Sequence, residues 1–112
     1  MDDYYAGPLT ALICCDRDRR VLVVGHSATV ITGWPEGDMI GREISEALSL
    51  TFPGADDDPI ARCLEWGVRV KGEPCTFRPY GLDDERSAVV DVFPAYDDDG
   101  GLLMALTPIM KG

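Results

Sequence analysis

Residues Val21–Gly41 read VLVVGHSATVITGWPEGDMIG, and the order of apolar residues and glycines in that stretch decides the fold. Val21 to Val24 are consecutive apolar, β-favouring residues, and Gly25 breaks the strand they predict. A short helical pattern follows, with Ala28, Val30 and Ile31 at its apolar positions. Gly33 stops it, because glycine takes the left-handed conformation past a helix end without a Cβ penalty. Pro35 is placed at the first position of a second helical turn, where its fixed φ fits and its missing N–H is no loss. Met39 and Ile40 supply apolar contacts and Gly41 closes the turn. One strand therefore feeds two very short helices, which predicts a chain folding tightly back over a sheet.

Upstream, Leu9–Asp16 reads as a strand and Asp16–Arg20 as a charged turn, so that the first two strands form a β-hairpin. Residues 1–8 read as a loose polar leader ending in Gly7-Pro8, ahead of a single domain over 9–112. Downstream, Ile44, Ala47 and Leu48 fall at i, i+3 and i+4 and predict a short helix within Arg42–Leu50. Thr51–Asp57 is a loop carrying the turn signal Pro53-Gly54. The clearest start signal comes next: Asp58 as N-cap, worth about 1 kcal/mol, and Pro59 at the first helical position. Ile60, Cys63 and Leu64 then form an apolar stripe that Arg62 and Glu65 avoid, up to a stop at Gly67. From there the pattern is extended: Val70–Tyr80, bent around Gly72 and Pro74; Arg86–Tyr96, with Ala88, Val90 and Val92 on one face and Val89, Asp91 and Phe93 on the other; and Leu102–Met110 after the turn Asp97–Gly101. Two strands, helices, then three strands is an α+β order.

The chain has 112 residues, enough for one domain that buries roughly 65% of its unfolded surface. Its formal net charge is -10, which argues against nucleic acid and against an anionic membrane surface as direct partners. The acidity gathers in Asp2-Asp3, Asp56–Asp58, Asp83–Glu85 and Asp97–Asp99. These read as solvated turns, since Asp97-Asp98-Asp99-Gly100 lacks the ligand spacing of a calcium loop. Of the four cysteines none forms a CxxC pair, and Cys14 and Cys15, adjacent in a strand, point to opposite faces. No signal peptide and no apolar run of membrane-spanning length is present, so the chain reads as cytoplasmic with reduced thiols.

The succession of strand, small-residue helix, Ile31-Thr32-Gly33-Trp34, the acidic turn Pro35-Glu36-Gly37-Asp38 and Ile40-Gly41-Arg42 resembles the first half of a PAS domain. The resemblance extends over nearly the whole chain. It implies a five-stranded antiparallel sheet of spatial order 2-1-5-4-3 with the helices on one face. This chain has Gly25 and His26 where the family often carries asparagine, which removes a polar side chain from the expected pocket mouth. The resemblance implies a sensory module of bacterial signalling proteins, such as sensor kinases and transcription activators, relaying a signal to an output domain or a partner.

The sole histidine, His26, lies at a strand end and reads as a surface or capping residue rather than a metal ligand. Haem-binding relatives carry their axial histidine on the helix that here spans Pro59–Trp66, which has none. Flavin-binding relatives place their cysteine in an asparagine-cysteine-arginine-phenylalanine motif, whereas Cys63 lies in Ala61-Arg62-Cys63-Leu64-Glu65. Haem and flavin are both disfavoured, and Cys63 reads as a small core hydrophobe. Trp34 is expected to plug the short helices onto the sheet, and Trp66 to be only partly buried. The pocket expected between helices and sheet is lined by Ile31, Trp34, Ile60, Cys63, Leu64, Phe77 and Val90. No phosphate loop, nucleophile elbow or metal-ligand histidine pair asks for catalysis.

The last two strands are apolar on both faces, with Leu102, Leu103, Met104, Ala105 and Leu106 leaving neither polar. A sheet with one solvated face alternates, so the second face needs a cover. A homodimer through that face is expected, with Val89, Phe93 and Met104 as contacts. The alternative to a ligand sensor is a dimerisation module with a filled core and no ligand.

Overall fold

The hairpin opens the chain as its pattern requires. The computed structural model describes residues 10–95 and 100–109. The leader over residues 1–8, the acidic run Asp97–Asp99 and the last three residues lie outside the described residues. Strand β1 (Ala11–Cys15) pairs antiparallel with β2 (Val21–Val24). Their turn is organised by Asp16, whose Oδ1 accepts from the N–H groups of Asp18 and Arg20 at 2.8 and 2.9 Å.

Helix α1 (His26–Thr32) ends at Gly33, left-handed at φ 75°, and α2 is the single turn Glu36–Met39. Pro35 precedes α2 instead of opening it. Its ring fixes φ alone, and ψ is extended at 140°, so the residue stays outside the helix. Helix α3 (Ile44–Ala47) is shorter than the stretch expected around it. The Glu43 carboxylate caps its start by accepting from the Glu46 N–H, and Ser49 turns the chain at φ 49°. Helix α4 (Pro59–Trp66) has the expected limits: Asp58 Oδ1 accepts from Ile60 and Ala61, and Gly67 takes φ 68° at the far end.

The remaining strands are β3 (Val70–Phe77), β4 (Arg86–Pro94) and β5 (Leu102–Pro108). The register of β3 on β4 shifts between Val70 and Glu73, where Gly72 at φ 64° donates its N–H to Asp91 Oδ1. The sheet is antiparallel in the order β2-β1-β5-β4-β3. This is the topology that the resemblance implies.

Both outer edges of the sheet are covered by the same connection. Gly41 and Arg42 exchange backbone hydrogen bonds with Val21, and Ile44 donates to Arg19, on the β2 side. Thr51 exchanges two with Thr76, and Arg78 donates to Leu48, on the β3 side. Residues 41–51 thus bind the two edges that an open sheet would leave unpaired.

The core lies on one face of the sheet. Ala11, Ile13 and Cys15 of β1, Ala88, Val90 and Val92 of β4, and Leu102, Met104 and Leu106 of β5 point into it, beneath Ala28, Met39, Ile44, Ile60 and Cys63. Met104 is therefore not a contact of the outer face. Its pairing with Ile13 on one side and Val92 on the other fixes it inward, with no exposed surface. Leu103 and Ala105 take the outer positions of β5.

Candidate functional site

Helix α4 lies over the inner face because its apolar side chains repeat at helical spacing and its polar ones do not interrupt them. Ile60 and Cys63 are fully buried, while Leu64 is half-buried at the margin of the core. Beneath and beside them, Phe77 of β3 and Val90 of β4 are buried in the same cluster. Trp34 joins it from behind Gly33, and Ile31 packs against it from α1. The seven residues expected to line a pocket are thus parts of one continuous core, five of them inside and Ile31 and Leu64 at the edge.

Trp34 is held by more than apolar contact. Its backbone N–H donates to Thr32 Oγ1 at 3.2 Å, and its indole N–H donates to the Ala47 carbonyl at 3.3 Å. Tyr80 lies 4.5 Å away, ring to ring, and the Arg42 guanidinium sits 5.3 Å from the indole centre. Arg42 is itself held by Asp38, whose carbonyl accepts from Nε. The plug expected from sequence is therefore a tie between α1 and α3. Trp66, at the other end of α4, is 76% exposed.

Two clefts border this plug. One, of about 190 Å³, is lined by Trp34, Arg42, Glu43, Glu46 and Ala47. The other, of about 480 Å³, is lined by Arg20, Ile40, Gly41, Arg42, Glu43 and Glu46. Their charged linings come from Arg42, Glu43 and Glu46 of the 41–51 connection, joined in the larger cleft by Arg20 of the β1–β2 turn; Arg20, Glu43 and Glu46 belong to no motif, so nothing in the sequence marks them.

The core thiols are kept protonated. Burial pushes Cys15 up to about 12, helped by the nearby charges of Cys14, Asp16 and Glu43. Burial and Glu73 push Cys75 up to about 11, and burial raises Cys63. Such thiols are poor nucleophiles at neutral pH. His26 is exposed at the start of α1 and does not face the core. Among the described residues no group of three or more His, Cys, Asp or Glu is placed to hold a metal ion, and no helix is long and apolar enough to cross a membrane.

The opposite face of the sheet carries a continuous apolar row. Phe93 pairs with Leu103, Leu103 with Cys14, and Cys14 with Val23, across four strands. Val23 is 59% and Leu12 47% exposed, and Val89 and Phe93 are half-buried. The Arg69 guanidinium sits 6.0 Å over the Phe93 ring.

No family model matches this sequence, and no curated protein matches it. Solved structures do. The PAS domain of nitrogen regulation protein NR(II) from Vibrio parahaemolyticus superimposes with a TM-score of 0.74 at 17% identity, over 89% of this chain and 89% of that one. A PAS domain from Colwellia psychrerythraea gives 0.73 at 15% identity, over 92% and 88%. A fungal LOV domain photoreceptor gives 0.68 at 16% identity, over 98% and 81%. The chain has the PAS fold.

Proposed function

We propose that this chain is a sensory module of signal transduction. In this reading the core under α4 takes a small, mainly apolar ligand, and the sheet passes the change to a second copy of the chain and to an output domain or partner protein. The observation that supports it is the two-sidedness of β4. Val90 and Val92 belong to the core beneath α4, and Val89 and Phe93 belong to the outer apolar row. A displacement of the inner residues shifts the outer ones, because a strand is stiff along its length and its side chains alternate.

Native mass spectrometry of gently purified protein tests the ligand. The expected result is a bound small molecule whose removal alters hydrogen exchange in β4. A protein that runs as a ligand-free dimer, and whose β4 exchange no extract of small molecules changes, favours the alternative of a dimerisation module with a filled core. The continuous packing of the seven lining residues supports that second reading.

A further inference from the structure

Helix α4 is attached to the rest of the molecule in an uneven way. Among the described residues, no backbone hydrogen bond joins residues 58–67 to another element. Apolar packing of Pro59 and Ile60 in its first turn and of Cys63 at its middle holds the helix to the core. Among the described residues, the polar tie from α4 to another element is a single side chain, Arg19, in the β1–β2 turn. One terminal nitrogen of Arg19 is 2.6 Å from Asp58 Oδ2, and the other reaches Ser45 Oγ of α3 at 3.4 Å. The other ion pair near α4, Arg62 with Asp57, stays within the helix and its own approach.

Arg19 occupies a left-handed backbone conformation, φ 67°. That conformation costs an L-residue free energy, and glycine would hold the turn without strain. A strained arginine persists where its surroundings fix it, and here the side chain is fixed by Asp58 and Ser45. Asp58 has a double duty: one oxygen caps α4 and the other receives Arg19. At the opposite end, residues 65–69 are all exposed and Gly67 turns the chain at φ 68°.

We infer that Arg19 and Asp58 form a latch that holds α4 shut over the core, and that α4 lifts about Gly67 when the latch opens. The side chains of the pair are 23% and 40% exposed, so water and ions reach it and can break it. The apolar contacts beneath α4 are non-directional and permit a small swing. The purpose of the opening, admission of a ligand, rests on the function proposed above. The opening itself is measured without a ligand.

Cys63 reports the opening, because it lies on the core-facing side of α4, buried against the core, and is reached when the helix moves. The experiment is the rate of alkylation of Cys63 by iodoacetamide in the native protein, followed by mass spectrometry of peptides, with Cys15 of the central sheet as reference. Asp58→Asn keeps a competent N-cap and deletes the charge. Arg19→Gly deletes the side chain and relieves the turn. Each is expected to raise Cys63 labelling about two- to five-fold, the range of a partly exposed ion pair, with Cys15 unchanged. The double variant should label no faster than the faster single one, since both remove one interaction. Salt at 1 M should speed the parent protein and not the variants. Unchanged Cys63 rates in both variants, or Cys15 rising in parallel with Cys63 in both, overturn the latch. If Arg19→Gly fails to fold, Asp58→Asn decides alone. Native mass spectrometry judges the ligand separately, so either idea can fail without the other.

Discussion

Replacing Ile60 by alanine should be among the most damaging single changes on α4. The side chain is fully buried, and the change removes three carbons from the core. Their transfer alone is worth about 2.4 kcal/mol. The cavity left behind brings the loss to about 3 kcal/mol, toward the lower part of the range for such truncations, because the exposed flanks of α4 let the helix settle inward. A domain of this length has a total stability of about 6–15 kcal/mol, so a large fraction disappears. Urea unfolding followed by tryptophan fluorescence should show the midpoint falling by about 2 M at unchanged slope. Leu64→Ala, at the half-buried margin, should cost about 1–2 kcal/mol, and Arg62→Ala under about 0.5 kcal/mol. A loss for Leu64→Ala equal to or above that for Ile60→Ala would mean that α4 is rolled relative to the sheet, and the reasoning would fail.

Gly101→Ala should destabilise by about 2–3 kcal/mol or prevent folding, because the new Cβ would meet the Cys15 carbonyl oxygen and φ is 101°; a thermal midpoint within a degree or two of the parent contradicts it. Thiol counting in denaturant without reductant should find four free thiols, while in the native state at pH 8 Cys15 and Cys75 stay unreactive. These two thiols hold their protons more tightly folded than unfolded, so their contribution to stability is constant below about pH 9. It is lost as pH rises toward about 11 and 12, by up to about 1.4 kcal/mol per pH unit for each; stability rising over that interval in urea titrations would reverse the sign. Sedimentation at micromolar concentration should give a dimer that Phe93→Glu or Val23→Glu converts to monomer, and a monomeric parent removes the role of the outer row.

The parts of the fold legible in the sequence were those governed by local chemistry. Asp58-Pro59 and Gly67 bracket α4 because capping and left-handed turns depend on the residue at one position. The alternation of Val89 and Phe93 against Ala88, Val90 and Val92 gave β4 its faces. In β5 the same reasoning misplaced Met104, because five apolar residues in a row carry no phase. Only pairing with Ile13 and Val92 sets which ones face inward. Leu64 belonged to the right stripe but to its rim, since the helix meets the sheet nearer to Ile60 and Cys63. The candidate pocket was legible as a set of apolar residues and no further. The tie from Arg19 to Asp58 spans a distance in sequence that no local pattern encodes, and Arg19 looked like one more charge in a charged turn.

The position of β5 between β1 and β4 has a consequence for how the molecule is made. Until residues 102–108 are available, the sheet exists only as two separate hairpins, β2 with β1 and β4 with β3. Neither hairpin alone is expected to be stable in water. During synthesis the early strands must therefore wait, with Ile13 and Val90 lacking the neighbours that bury them, until the last strand leaves the ribosome and enters the gap. Bringing β5 between β1 and β4 then carries the entropic cost of closing the connections around it. In that interval the exposed hairpins are open to pairing with those of other chains, and a chaperone that binds extended apolar segments would act on this intermediate rather than on the finished domain.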